Sequence, residues 1–397
     1  MSLLEPGGRR SGTAFGDAAL LEAMIEVESA WLGVRGYAGL GGLVSDADHP
    51  ELIEAIAREG EQAGNPVVPL VKVLRGLLRE NGDEEQARAV HAGLTSQDVL
   101  DTALVLSCRE AAAQADGHVR RALRRIADLA IEHRGSIRTG RTLTQPAVPT
   151  TFGLVAATWL RGLLDAAEDL ARVRGALPVQ LGGAAGTLAG PLVGYHGPDA
   201  TAALAEALCL RTGLPWHSNR APITRFGDAL VGLHDACALI ANDVLVGSRP
   251  EIGELGEGTG GVSSTMPHKH NPVLSVLIRS AGIAAPPLGA TLHAAAAAQV
   301  DQRADGGWHA EWVALSRLTR SAVATTSRTA DLLDGLRVRA DRMRAHAEHN
   351  AEALLAEAGE LGRPGIDMVD YLGDAELVID TVVARAERYL ATSENTA

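Results

Sequence analysis

The stretch LVAATWLRGLLDAAEDLARV, residues 154–173, carries the pattern that decides the fold. Leu160, Leu163, Leu164, Ala167 and Leu170 recur at the i, i+3, i+4 spacing of one helix face, and Asp165, Glu168 and Asp169 fall on the other. Segments 15–36, 99–134, 225–248, 273–298 and 311–334 read the same way. Several exceed 20 residues, longer than an ordinary globular helix, which points to a bundle of long rods. No alternating strand pattern and no solenoid repeat stands out, and only 135–150 leaves room for a few short strands. The expected fold is all-α, with a central bundle of long helices. Many of these helices are apolar on more than one face, so they need burial on several sides, including against further copies of the chain.

Gly- and Pro-rich breaks at 63–66, 140–149, 180–191, 260–272 and 359–365 divide the chain. They predict an N-terminal helical part over 1–92, a central long-helix part over 93–345 and a short C-terminal part over 346–397.

Composition agrees with a helical core. Hydrophobic residues make up 46% and aromatics only 3%, so the interior is built from Ala, Leu, Val and Ile. The net charge of −13 argues against a nucleic-acid partner, which requires a basic surface, but not against a small anion held by a local cluster of Arg and Lys. Cys108, Cys209 and Cys237 lie far apart and form no CxxC pair, which fits a reducing cytoplasm and no metal framework. The start MSLLEPGGRRSG lacks the apolar core of a leader, and the apolar run 281–298 contains Pro286 and Pro287, which are expected to interrupt it before it spans a membrane.

Chemistry concentrates in three segments. In HAGLTSQDVLDTA (91–103), Thr95 or Ser96 can cap a helix with Asp98 in its first turn, and a helix N-terminus bearing hydroxyls suits a carboxylate. In GRTLTQPAVPTTFG (140–153), Arg141, Thr142, Thr144 and Gln145 offer donors from a loop stiffened by Pro146 and Pro149. The third, GGVSSTMPHKHNP (260–272), holds Ser263, Ser264, His268, Lys269, His270 and Asn271. Its His-x-His pair has no third ligand nearby and no Walker pattern is present, so neither a metal loop nor a phosphate cradle is expected. Asn271–Pro272 reads as N-cap and first residue of a helix, and glycines 256, 258, 260 and 261 read as a flexible approach, the signature of a closing lid. A hydroxyl acting as base, with Lys269 and Asn271 holding a carboxylate as charge develops, is the chemistry this loop suits.

TSQDVLDT, GRTLTQPAVPTTFG and GVSSTMPHKHNP, in this order and spacing, resemble the three sequence blocks of the aspartase/fumarase (argininosuccinate/adenylosuccinate lyase) superfamily across nearly the whole chain. AGNPVVPLVK (63–72), QLGGAAGTLAG (180–190), LPWHSNR (214–220) and GGWHAEW (306–312) resemble its 3-carboxy-cis,cis-muconate cycloisomerase branch. The resemblance implies a homotetramer whose active sites each draw the three blocks from three subunits. It implies that Ser263 is the general base, that Lys269 and Asn271 bind a carboxylate, and that Thr95, Ser96, Thr142 and Gln145 bind substrate. Ser264 and Met266 lie in the same block, and Arg141, Arg220, Lys269 and Arg279 are the candidates for a cationic pocket. No metal or organic cofactor is expected, because the substrate's own carboxylates act as nucleophile and electron sink.

Departures from the pattern sharpen the substrate. Many lyases of the superfamily carry a His directly after the Arg-Thr of the second block, where this chain has Leu143. Expelling an amine or guanidine needs a proton donor, whereas a carboxylate leaves as an anion because its pKa is near 4. Leu143 therefore argues against argininosuccinate or adenylosuccinate cleavage. It suits lactone formation from 3-carboxy-cis,cis-muconate, and equally the loss of nitrite from a substituted succinate. Cycloisomerases also often carry a His near Pro146; without it, His91 is the leading candidate for a further proton-handling group. Val262 stands where Gly is usual, Ala221 follows Arg220 where Asp is common, and the C-terminal part is short for this family.

Overall fold

The computed structural model describes residues 3–44, 49–189, 197–258, 261–262, 266, 269–303 and 305–392. A short 3₁₀ turn at Gly8–Ser11 precedes α1 (Asp17–Val34), α2 (His49–Ala63), α3 (Val67–Glu80) and α4 (Glu84–Ala89). The long helices follow: α5 (Ser96–Glu132), α6 (Phe152–Gly175), α8 (Ala221–Gly247), α9 (Val273–Ala297) and α10 (Gly307–Asp334), with α7 (Gly197–Ala207) between the second and third of these. Helices α11 (Ala340–His349), α12 (Ala351–Glu360) and α13 (Ala375–Ala391) complete the chain. Strands β1 (Ile137–Thr142) and β2 (Gln145–Thr151) form an antiparallel hairpin. Two-residue strands make two further small pairs: β3 (Leu255–Gly256) with β6 (Arg337–Val338), and β4 (Gly261–Val262) with β5 (His270–Asn271). The all-α expectation holds.

The five long rods pack side by side around one apolar core that runs from Ala14 to Ala386. On α6 the face read from the sequence is the buried one: Leu160, Leu163, Leu164, Ala167 and Leu170 are nearly inaccessible. Each such leucine contributes about 1.5–3 kcal/mol relative to exposure. Residues Asp165 and Glu168 of the opposite face pair instead with Arg385, which ties α13 onto α6. Helices α11 and α12 cover the hairpin through a small separate cluster of Ile137, Ala347 and Leu354.

The expectation that Pro286 and Pro287 interrupt their apolar run is corrected. Both lie inside α9, which continues to Ala297. Gly282, one turn before Pro286, packs against α8 so closely that a Cβ there would sit 2.7 Å from the Ala238 methyl. Packing on α8 and α10 therefore holds a helix that local propensity alone would end. By length and composition α8 and α9 could each cross a membrane, but α8 lies within the bundle between α6, α9 and α10.

Candidate active site

The three chemical segments occupy the two ends of the bundle. Helix α5 begins at the first segment and leads at its far end into the hairpin that carries the second. Its 37 residues make it about 55 Å long. Helix α8 runs from Arg220, beside the start of α5, back to the hairpin end, where Glu254 meets Arg141 at 2.7 Å. The third segment then opens α9 at that same end.

At the first end, the sequence-predicted cap is present. Thr95 is the N-cap of α5, and its N–H donates to Asp98 Oδ2 at 3.0 Å, the return half of a capping box. Ser96 is the half-buried first residue of the helix. The carboxylate of Asp98 does more than cap. It also accepts from the backbone N–H groups of Gly182 and Gly183 at 2.9 Å, from Gln180 Nε2 at 3.3 Å and from His217 Nε2 at 2.9 Å. Block one, the QLGG turn and the PWHSNR segment are thus gathered on one buried carboxylate. Gly182 is required there, because a Cβ would lie 2.5 Å from the His217 ring.

Three residues further along α5, Asp101 receives Arg220. Here a sequence expectation is corrected: Arg220 does not face substrate. Its Nε donates to Glu311, Nη1 to Asp101 and the His217 carbonyl, and Nη2 to Asp101 and Glu311, so all five donors of the guanidinium are engaged. Its side chain is fully buried, with the Trp216 ring 4.7 Å from the guanidinium carbon. Trp308 Nε1 and Gln97 Nε2 complete the shell of Asp101 at 2.8 and 3.1 Å. One cation thus faces two carboxylates. Burial raises the pKa of Glu311 and Asp101 adds to it, while Arg220 opposes them, leaving Glu311 pushed up to about 7.

His91 also has a specific partner. Its Nδ1 lies 2.6 Å from Glu28 Oε1, its backbone N–H donates to Glu28 Oε2 at 2.9 Å, and its φ is +61°.

At the hairpin end, Arg141 already holds a carboxylate of the chain itself. It grips the buried Glu254 at 2.7 and 3.3 Å, with Arg138 at 3.3 Å and His346 Nδ1 at 2.9 Å on the same group. Burial works against the charge of Glu254. The hydrogen bonds from Arg141 and His346 and the charge of Arg138 outweigh burial and hold it below the usual carboxylate range. Arg141 is therefore a residue that locks the hairpin to the approach of the third block, with part of its edge still open at 24% side-chain exposure.

The hairpin tip turns through Leu143 and Thr144, with φ of +48° and +72°. Positive φ at both central residues of a two-residue loop is the type I′ requirement that Asn-Gly normally meets. Here a Leu and a β-branched Thr meet it under strain. The turn projects Leu143 outward, 96% exposed, with Thr142 and Gln145 exposed on either side.

Of the third block, Ser263, Ser264 and His268 lie outside the described residues. Met266, Lys269 and His270 are exposed, Asn271 is half-buried, and Arg279 is exposed on α9. Asn271 is not the helix cap expected of it; it pairs with Gly261 in the β4–β5 ladder. The α9 N-terminus is capped from a distance by Glu257, which accepts from Leu274 N at 3.1 Å and Ser275 N at 2.7 Å. Two of the glycines read as a flexible approach are also tightly packed. A Cβ on Gly258 would lie 2.5 Å from the Gly335 carbonyl, and one on Gly261 would lie 2.2 Å from Val273. Close packing is thus a further reason for glycine at these two positions.

Sequence reasoning missed Glu28, Asp101, Glu254 and Glu311. Asp98 and Asp101, three apart in TSQDVLDT, share a face of α5, which was a readable signal. The other carboxylates sit far along the chain from the residues they hold, and nothing local marks them.

The comparisons assign this bundle of long helices to a family. The lyase family profile matches residues 54–285, and the chain belongs to that family. It is 42% identical over 371 residues to a nitrosuccinate lyase of Streptomyces davaonensis, covering 88% of this chain and 77% of that one. It is 40% identical over 312 residues to a 3-carboxy-cis,cis-muconate cycloisomerase of Bradyrhizobium diazoefficiens, covering 77% and 68%. The crystal structure of the 3-carboxy-cis,cis-muconate lactonizing enzyme of Pseudomonas putida superposes with a TM-score of 0.85 at 28% identity, over 98% of this chain and 99% of that one. The protein is an enzyme of the cycloisomerase/lyase type.

Proposed function

We propose that the chain converts 3-carboxy-cis,cis-muconate to a carboxymuconolactone by intramolecular addition of a carboxylate. The observation that carries this reading is the likeness to the lactonizing enzyme over nearly the full length of both chains. Leu143, an exposed apolar side chain at the hairpin tip where expulsion of an amine would require a proton donor, sets the reading against the amine-releasing lyases and fits any group that leaves as an anion. One substrate carboxylate adds to the conjugated diene, and the carbon next to another carboxylate gains a proton through an enediolate. Ser263 exchanges that proton, and His91 supplies a second proton-handling group. Lys269 and Asn271 hold the doubled negative charge, and Thr95, Ser96, Thr142, Gln145, Ser264, Met266 and Arg279 line the substrate, with the open edge of Arg141. The likeness to the lactonizing enzyme over nearly its full length supports the substrate.

The first block stands at one end of α5, a helix about 55 Å long, and the other two at its far end, so a site that uses all three draws them from different copies of the chain. Exposed Val276 and Ile283 on α9 supply apolar surface for that assembly, for which a homotetramer is the reading.

A second reading has its own support. The 42% identity to a nitrosuccinate lyase, together with Leu143, fits the release of nitrite, another anion that leaves without a proton. One pair of assays separates the two: loss of diene absorbance with 3-carboxy-cis,cis-muconate, and nitrite release from nitrosuccinate. Diene loss without nitrite release is the expected result. Nitrite release alone transfers the assignment to the second reading, and turnover of argininosuccinate or adenylosuccinate overturns both.

A further inference from the structure

A dedicated clamp surrounds the turn that carries His91. Four consecutive residues, Ala89 to Ala92, have their polar groups engaged by side chains from two other helices. Arg35 at the C-cap of α1 donates to the Ala89 carbonyl at 2.6 Å, and Arg75 of α3 donates to the Val90 carbonyl at 2.8 Å. Trp31 Nε1 donates to the Ala92 carbonyl at 2.9 Å. Glu28, fully buried, accepts from both the backbone N–H and the ring of His91 at 2.9 and 2.6 Å. Glu28, Trp31 and Arg35 share one face of α1 at i, i+3 and i+7, so a single helix face grips the turn. The turn holds His91 at a φ of +61°, in the left-handed region that a chain rarely adopts without support.

Such a grip fixes more than position. The carboxylate accepts, so in the neutral ring Nδ1 carries the proton and Nε2 is the acceptor nitrogen, on a side chain that is 18% accessible. The next residues are Gly93, whose carbonyl abuts Gly183, and the Thr95–Asp98 cap. The imidazole therefore stands at the edge of the first block with its basic nitrogen unengaged by Glu28. This is the base-plus-orienting-carboxylate pair of nucleophile-activating sites.

We propose that His91 is a proton-transfer residue of the site and that Glu28 is its positioning residue, holding the tautomer that makes Nε2 the acceptor. The proposal rests on the addition–elimination reading above. In the elimination direction the C–H bond next to a substrate carboxylate breaks, its electron pair enters the enediolate, and the proton passes to Nε2 through the hydroxyl that first takes it. The enediolate then collapses, the C–O bond breaks and its electron pair leaves on the expelled carboxylate. In the addition direction the imidazolium returns that proton to carbon by the same route and becomes neutral again.

Glu28→Gln tests this with almost no change of shape. The glutamine oxygen must accept the His91 backbone N–H, which turns the amide NH₂ toward Nδ1. The ring then carries its proton on Nε2, and the base is lost while the clamp stays. With wild-type turnover established on either substrate, Glu28→Gln and His91→Asn are expected to lower kcat by about 100-fold or more with KM within about threefold. The double variant is expected to be no worse than either single one, since the two residues act as a unit. Nitrogen-15 NMR of the imidazole is expected to show the Nδ1–H tautomer in the wild type and Nε2–H in Glu28→Gln, whatever the substrate. A kcat of Glu28→Gln within threefold of wild type, or an Nε2–H ring in the wild type, overturns the proposal. Absence of wild-type turnover on both substrates defeats the functional reading instead and leaves the NMR result to judge the tautomer assignment.

Discussion

Arg220 illustrates how an arginine in a motif of an anion-binding enzyme can belong to the scaffold. Five donors meet two carboxylates and a carbonyl in a site without solvent, and the surrounding carboxylates raise its already high pKa against the effect of burial. Breaking such a buried network from one side leaves an uncompensated charge. Arg220→Met is expected to destabilise the fold by about 3–5 kcal/mol in chemical denaturation. An activity loss without that destabilisation would return Arg220 to the substrate pocket. The same cluster sets a pH dependence. Glu311 has its pKa raised from 4.5 to about 7 in the folded chain, so between those values the folded state holds a proton that the unfolded state has released. Its contribution to stability is complete below about pH 4.5 and is lost as the pH rises through about 7. Melting temperatures measured at pH 5 and pH 8 are expected to differ less in Glu311→Gln than in the wild type.

The β1–β2 hairpin is the element in which local preference and conformation conflict most openly. Thr144, β-branched, sits at a φ of +72° beside Leu143 at +48°. Left-handed backbone costs an ordinary residue about 1–2 kcal/mol. Thr144→Gly is accordingly expected to stabilise the chain by about 1 kcal/mol, read as a shift in denaturation midpoint at unchanged slope. A loss of stability would mean that the Thr144 side chain contributes more than its backbone costs. The strain is borne because the hairpin is anchored on both sides: Arg138 and Arg141 grip Glu254, while Ile137 packs under α11 and α12.

For the whole molecule, the placement of the blocks at opposite ends makes a specific demand. A variant damaged in the first block, such as Ser96→Ala, and one damaged in the third, such as Lys269→Ala, are each expected to be nearly inactive. Mixed and reassembled together, they are expected to regain activity, because some sites then combine an intact first block from one copy with an intact third block from another. Activity that stays at the level of the separate variants would show that each chain works alone.

How far the residues alone could be read follows from the range of the forces involved. The long helices were legible because an apolar side chain every third or fourth position is a local record of a buried face, as Leu160 to Leu170 show. The Thr95–Asp98 cap was legible because both partners lie within one turn. The three blocks, and with them the family, were legible because hydroxyl, Lys and Asn gathered in one loop have no packing reason to be there. Tertiary structure alone decided the carboxylates. Glu254 is over a hundred residues from Arg141, Glu311 some ninety from Arg220, and Glu28 about sixty from His91. Ion pairs and hydrogen bonds depend on distance in space and leave no periodic trace along the chain. The sequence therefore determined the rods and the chemistry they carry, whereas the fold decided which cations are held by the protein's own carboxylates and which remain open to an anion.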